Sequence, residues 1–329
     1  MAGKYQVEIL GEEYYEAWDR FVDISPQGCI FCKSWWLDAV APGGYSIMVA
    51  YRNGSLVGGI PLIQKRGRFA RGYGMPPLTQ TLGILLRPFD LAYTERISEE
   101  KRIIECLVDA LGNLDFFGQN FHYNFQNWMP FMWRGYRQTT RYTYVLENIK
   151  DTEQLWRGLA KNIRSDINKA YRLGLSLVEE RSAPDVFWET YKSTFSRQNM
   201  EAPVQFPFFS RFDDKLGKLD KRRMFLVIDP QRRVHAGIYL VFDNNYAYYL
   251  MGGGNPELRN SGASAFGLFE GMKAVSSVAD SFDFEGSVVK NIETFFRAFG
   301  GRQKPYFQIS RQKTTGQKIR AGVKTLLGR

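Results

Sequence analysis

Cysteine and histidine are scarce, with three cysteines and two histidines among 329 residues. Three cysteines cannot build the disulfide framework of a small secreted scaffold. Cys29 and Cys32 form a C-x-x-C, but no second pair follows to complete a zinc site, so packing is the reading for both and no metal is expected. Long apolar runs are missing too: no window approaches the roughly 18 to 20 uncharged residues that span a bilayer. The opening stretch, MAGKYQVEILGEEYYEAW, is acidic where a signal peptide would be apolar. A cytoplasmic protein is expected, peripheral at most at the inner face of a membrane. Charge of one sign is absent from most of the chain despite the net +10: residues 1–150 carry 16 basic against 15 acidic side chains, and residues 151–300 carry 20 against 19. Only residues 301–329, with eight basic and no acidic residues, are strongly charged. A near-neutral body offers no basic groove for nucleic acid.

A hydrophobic content of 44% supports real cores, and the length suggests two domains of roughly 150 residues. The expected division is 1–150, 151–310 and a basic tail at 311–329. VAYRNGSLVGGIPL and VIDPQRRVHAGIYL share the order strand, turn, strand, each with a Gly-Ile step at Gly59-Ile60 and Gly237-Ile238. That repetition predicts one α/β unit used twice. In the first copy Asn53-Gly54 is a strong hairpin signal. Lys65, Arg66, Arg68 and Arg71 follow it as a phosphate-binding or simply solvated loop.

Between Phe116 and Tyr136 nine aromatic rings and His122 alternate with Asn120, Asn124, Gln126 and Asn127. Rings beside amides suit a sugar or extended-ligand cleft, with Trp128 and Trp133 stacking on substrate and His122 as a base; core packing is the other reading. In DTEQLWRGLAKNIRSDINKAYRLGL the stripe Leu155, Leu159, Ile163, Ile167 and Ala170 predicts one amphipathic helix. Its second face, including Arg157, Lys161 and Arg164, is either solvated or a phosphate contact.

Two stretches carry most of the chemistry. GGGNPELRNSGASAF predicts a glycine-rich loop entering a helix near Ala263, and the free amides of such a helix start attract an anion. SFDFEGSVVKNIETFFRAFGG predicts a strand that delivers Asp283 and Glu285 to its end and a turn at Gly286. A helix from Val288 to Phe299, carrying Arg297, follows and stops at Gly300-Gly301. Tyr248 and Tyr249, on the strand before the glycine loop, are packing residues or proton donors.

Arg259-x-x-Gly262-x-Ser264 resembles the Arg/Gln-x-x-Gly-x-Gly/Ala loop with which GNAT acyltransferases cradle coenzyme A, with serine in the last position. Phe282-Asp283-Phe284-x-Gly286, Phe296-Arg297-x-Phe299-Gly300 and NIRSDINKAYRLGL extend this to a resemblance, over most of residues 30–310, to the FemAB-type branch of the GNAT superfamily. Arg297 stands where that branch's peptidyltransferases carry lysine. The resemblance implies an α/β (α+β) fold of two tandem GNAT-like domains, each a mixed central sheet flanked by helices. It implies N-acyl or aminoacyl transfer to an amine of a sugar or cell-envelope precursor, from acyl-CoA or aminoacyl-tRNA. Transfer RNA is the less favoured donor, because the coiled-coil insertion that some members use with it is missing.

For such a transfer the candidates are Asp283 or Glu285 as base or amine-orienting group, with a structural, hydrogen-bonded acid as the other reading of Asp283, Arg297 as phosphate or oxyanion partner, and Tyr248 or Tyr249 as proton donor to the leaving group. The donor loop would comprise Arg259, Asn260, Ser261, Gly262, Ala263 and Ser264, with Trp128, Trp133 and Arg164 on the substrate. The competing expectation is a non-catalytic tandem-GNAT binding protein recruited to an anionic membrane or polyanion. Its anchor would be the tail, where Ile319, Val323, Leu326 and Leu327 share a helical face flanked by Lys318, Arg320 and Lys324.

Overall fold

A computed structural model describes residues 5–67, 70–196, 199–286 and 289–312. Arg68, Val288 and the amphipathic tail pattern beyond Gln312 lie outside the described residues. The described chain divides into two compact units, residues 5–141 with 306–312, and residues 142–305. Among the described residues no helix is long and apolar enough to cross a membrane.

The first unit runs β1 (Tyr5–Ile9), α1 (Tyr15–Ile24), α2 (Ser34–Val40), β2 (Tyr45–Arg52), β3 (Ser55–Gly67), β4 (Ala70–Gly74), β5 (Leu85–Leu86), α3 (Tyr93–Ala110), β6 (Phe116–Asn120) and α4 (Met129–Met132). Strands β1 to β4 are antiparallel neighbours in order. Asn53 and Gly54 both take positive φ, 50° and 75°, as a tight two-residue hairpin requires. Beyond β4 the sheet changes direction, because β6 pairs with it in parallel, Gly72 to Phe116 and Tyr73 to Phe117. The crossover is α3, whose Ile103, Ile104, Leu107 and Val108 are buried against Ile60, Leu62, Phe117 and Phe121.

Strand β7 (Arg137–Leu146) leads the chain out of this unit and β13 (Arg302–Gln312) brings it back. The second unit contains α5 (Thr152–Gly158), α6 (Lys161–Arg172), β8 (Ser176–Glu180), α7 (Pro184–Ser196), α8 (Phe206–Lys218), β9 (Arg222–Ile228), β10 (Val234–Phe242), β11 (Tyr246–Gly254), α9 (Ala263–Val275), β12 (Ser281–Asp283) and α10 (Lys290–Arg297). Its strands lie in the order β7-β12-β11-β10-β9-β8, antiparallel except where β12 joins β11 in parallel. The crossover here is α9, whose Ala263, Phe266, Leu268, Met272 and Val275 pack with Ile238 and Leu240 of β10. On the opposite face, Phe187 of α7 and Phe209 and Phe212 of α8 surround the ring of Tyr239.

Each unit therefore contains antiparallel strands followed by a parallel βαβ crossover, as the repeated Gly-Ile pattern suggests. One expected element differs: the helix spanning Leu155 to Ala170 is two helices. Leu159 and Ala160 are extended because the Ala160 amide donates to the Ala298 carbonyl at 2.8 Å. A tertiary hydrogen bond, invisible to local periodicity, breaks the helix there. The final helix is also shorter, beginning at Lys290 after an extended Val289.

Candidate functional site

In the second unit, β11 and β12 are paired at only three positions, Tyr246 to Ser281, Ala247 to Phe282 and Tyr248 to Asp283. Strand β12 ends there, while β11 continues to Gly254. Among the described residues, β10 is the one strand that pairs with β11 beyond Tyr248. The register moves from Leu240–Tyr249 to Tyr239–Met251, which makes Leu250 an extra residue, and such a bulge bends its strand. A wedge opens along this edge, and the backbone of a strand edge can hold an extended ligand.

The wedge leads to the glycine loop. Arg259–Ser261 form one helical turn, then Gly262 enters α9 in the left-handed conformation at φ 78°. A Cβ at Gly262 would lie 2.1 Å from the Asp166 carbonyl oxygen on α6, so glycine is what lets the loop press on that helix. Among the described residues no side chain caps the first turn of α9, and its amides present partial positive charge. Ser261 is 6% exposed, and among the described residues its Oγ has no hydrogen-bond partner. Arg259, Asn260 and Ser264 are exposed, and Ala263 is buried. A Cβ on Gly254 would meet Ser264 Oγ at 3.5 Å, so the end of β11 adjoins the start of α9. Arg164 is half-buried on α6, two residues before the Asp166 contact.

At the inner end of the wedge, Asp283 is 1% exposed. It accepts hydrogen bonds from the Thr143 hydroxyl and, at 2.7 Å, from the Glu285 amide. Glu285 and Gly286 both take positive φ, 58° and 67°. Gly286 allows close approach to Tyr142, whose carbonyl oxygen would stand 2.1 Å from a Cβ. Asp283 thus holds the turn that presents Glu285, a half-buried residue.

Arg297 places Nε 3.0 Å from Glu293 Oε1 while its side chain remains 60% exposed. Glu293 also accepts from the Tyr144 hydroxyl at 2.5 Å, and Gln303 Nε2 donates to that hydroxyl at 2.9 Å. The Tyr144 hydrogen bond, with help from Arg297, holds the Glu293 carboxyl below its usual range. Tyr249 sets its ring edge-on to Phe296 of α10, with centroids 5.7 Å apart. Burial, followed by the proximity of Tyr191, raises its phenol so that it stays protonated.

The remaining expected residues belong to the first unit. Trp128 packs on that unit's core, and exposed Trp133 lies under the Lys101 ammonium at 5.7 Å. His122 is pushed down to about 3 by burial, so it is neutral and a feeble base near pH 7. Its Nδ1 accepts the Asn124 amide at 3.2 Å. The neighbouring amides donate to backbone carbonyls, Asn120 to Gln80, Asn124 to Pro26, Gln126 to Tyr123 and Asn127 to Ile97. Their hydrogen bonds tie loops to the core.

Two participants have no signal in the sequence, and a third was expected in another element. Thr143 carried no local signal, because it meets Asp283 across 140 positions of chain. Leu250 required knowledge of the register. Gly252-Gly253-Gly254, expected as the start of the glycine-rich loop, instead end β11, where glycines allow close backbone approaches.

Residues 157–284 match the family model described as an acetyltransferase (GNAT) domain. Similar solved structures include FemX, with a TM-score of 0.69 at 15% identity, covering 92% of this chain and 96% of that one. A tandem GNAT protein from the clavulanic acid biosynthesis pathway gives 0.54 at 11% identity, covering 94% and 98%. The C-terminal domain of a putative lysylphosphatidylglycerol synthetase from Agrobacterium fabrum gives 0.55 at 13% identity, covering 94% and 96%. These likenesses establish the fold as two GNAT-like units in tandem. A sequence search of curated proteins finds no match.

Proposed function

Starting from the GNAT acyltransferase domain formed by residues 157–284, we propose that the second unit transfers an acyl group from a coenzyme A thioester to a primary amine of a sugar or cell-envelope precursor. The observation that carries this reading is the edge of β11 running into the start of α9, where, among the described residues, no side chain caps the helix and the buried Ser261 hydroxyl has no hydrogen-bond partner. Pyrophosphate at that helix start would take the first-turn amides and the Ser261 hydroxyl, with Arg259 and Arg164 supplying positive charge. The amides of the pantetheine arm would pair with the edge of β11. A near-neutral body, lacking the charge that a transfer RNA backbone needs, favours the small thioester donor.

In the proposed reaction, Glu285 accepts a proton from the acceptor ammonium, and the neutral amine attacks the thioester carbonyl. The C–N bond forms, the C–S bond breaks, and the departing thiolate takes a proton from the Tyr249 phenol, which is restored by the second proton lost from the attacking nitrogen as the amide forms. Asp283 acts as a positioning residue for Glu285, and Arg297 binds acidic groups of the acceptor. The neighbour named as a lysylphosphatidylglycerol synthetase supports an envelope-associated acceptor.

Calorimetry with acetyl-CoA tests the donor. Binding that weakens about tenfold in Arg259→Ala is the expected result. Heat no different from that of an unrelated nucleotide would sink the proposal.

A further inference from the structure

Resting on that donor reading, we propose that the ring of Tyr249 closes the inner end of the wedge and restricts the transferred group to a short acyl chain. Tyr249 is the first residue of β11 beyond its last pairing with β12, Tyr248 to Asp283, so it stands at the apex where the strands part. It packs against the second unit's core on the same side as Ala247. Its ring does not point away from the sheet. A Cβ built on Gly252 would lie 1.9 Å from the Tyr249 Oη, so the phenol is folded along the strand and reaches over the backbone three residues on. At about 3.3 Å per residue, it covers roughly 10 Å of one face of the strand and leaves the backbone groups of its edge uncovered.

The other sides of this space are walled. Phe296 of α10 meets the Tyr249 ring edge-on, and Phe284 stacks behind Phe296 at 5.2 Å with an interplanar angle of 29°. Phe282 and Phe299 are buried against Phe284. On the opposite face of β11, α7 comes so close that a Cβ on Gly253 would lie 2.5 Å from the Thr190 carbonyl oxygen. A thioester entering from the α9 end along β11 therefore reaches an aromatic wall before it reaches the apex. An acetyl or propionyl group fits this ending, being small and apolar, whereas a long alkyl chain would have to displace the ring. Gly252 is the complementary feature, because any larger residue would push the phenol out of its place.

The test is calorimetric titration of the full chain with coenzyme A itself and with acetyl-, butyryl-, hexanoyl- and octanoyl-CoA. Wild type is expected to bind coenzyme A and acetyl-CoA comparably and hexanoyl-CoA about tenfold or more weakly, the size of effect that a pocket exerts on surplus methylenes. Tyr249→Ala should recover hexanoyl and octanoyl binding to within about threefold of acetyl, as expected when the blocking atoms are removed. Tyr249→Phe should keep the wild-type order, since the ring and not the hydroxyl does the excluding. Wild type alone can overturn the inference, by binding octanoyl-CoA as well as acetyl-CoA, even if Tyr249→Ala fails to fold. Equal chain-length series in wild type and a folded Tyr249→Ala would overturn it as well. If no coenzyme A ester binds, the donor reading falls and this inference with it, an outcome distinct from binding without chain-length preference.

Discussion

The two units carry the same parallel crossover, yet one wedge is filled and the other open. In the first unit β4 and β6 also part after two paired positions, Gly72–Phe116 and Tyr73–Phe117. The chain itself then enters the gap. Met75 Sδ accepts the Asn120 amide at 3.4 Å, Asn120 Nδ2 donates to the Gln80 carbonyl at 2.9 Å, and the Leu82 amide donates to the Asn120 carbonyl at 2.7 Å. Leu82 and Phe121 complete a parallel bridge. Between β11 and α9 of the second unit the connection is shorter, residues 255–262, and goes directly to the helix start. The same βαβ geometry thus becomes core where a long loop folds back, and keeps an edge unpaired by β12 where the loop is shorter, which is the edge proposed to bind the donor.

The sharpest way to break this comparison is to spoil one glycine in each unit. Gly262→Val adds a Cβ 2.1 Å from a backbone oxygen at a φ of 78°, so the proposed donor loop must move. About a hundredfold loss of acetyl-CoA affinity is expected, the scale of one or two charge-assisted hydrogen bonds. Gly83→Val, at φ 97° with a Cβ 2.3 Å from the Phe121 ring, attacks the filled wedge. It should lower the melting temperature, with strain on the order of 1–3 kcal/mol, and leave acetyl-CoA affinity in the surviving folded protein unchanged. Equal losses of binding in both variants would refute the division of labour.

Acid should separate the units next. His122 in the first unit has its pKa lowered by burial from 6.5 to about 3. Between those values the unfolded chain binds a proton that the folded chain refuses, so stability is full above about 6.5 and falls as the pH drops towards 3, by about 1.4 kcal/mol per pH unit. In the second unit burial opposes ionisation of Asp229, but the Arg233 amide and guanidinium and the His235 ring lower its pKa to about 2. Its contribution is complete above the ordinary carboxylate value of 3.8 and is lost only as the pH falls through about 2. Hydrogen exchange at pH 7 and pH 4.5 should show the first unit losing protection earlier, and His122→Gln should remove that difference. Simultaneous loss in both units would contradict it.

Much of the fold was legible because the units are built from local signals. Asn53-Gly54 fixed a hairpin, and the glycine-rich stretch around Gly262 marked a helix entry. The break at Leu159–Ala160 was hidden, since a bond to Ala298 causes it. The aromatic-amide segment was ambiguous in principle: the residues that line a sugar cleft also pack a core, and only the carbonyl partners of Asn120, Asn124, Gln126 and Asn127 tell them apart. In the candidate site the acids and the loop stood out by composition. Their unequal roles did not, because what holds Asp283 is a threonine on the neighbouring strand β7, 140 positions away along the chain.

That threonine offers the finest distinction between the wedges. At the end of β6, Asn120 uses its side chain to hold the plug; at the end of β12, Asp283 uses its carboxylate to hold its own turn, with Thr143 as the second donor. Thr143→Val keeps the shape and removes one hydrogen bond, leaving the Glu285 amide on Asp283. Glu285 should then be presented less rigidly, and kcat for an identified amine acceptor should fall about three- to tenfold, the range expected from a small misplacement of a reacting group. KM for acetyl-CoA should stay within about twofold, because the proposed donor loop packs on α6 and leads into α9, and serine at the same position should restore kcat. A change in donor KM with kcat intact would assign Asp283 to donor binding, and the open wedge would then be organised from its inner end rather than from the loop.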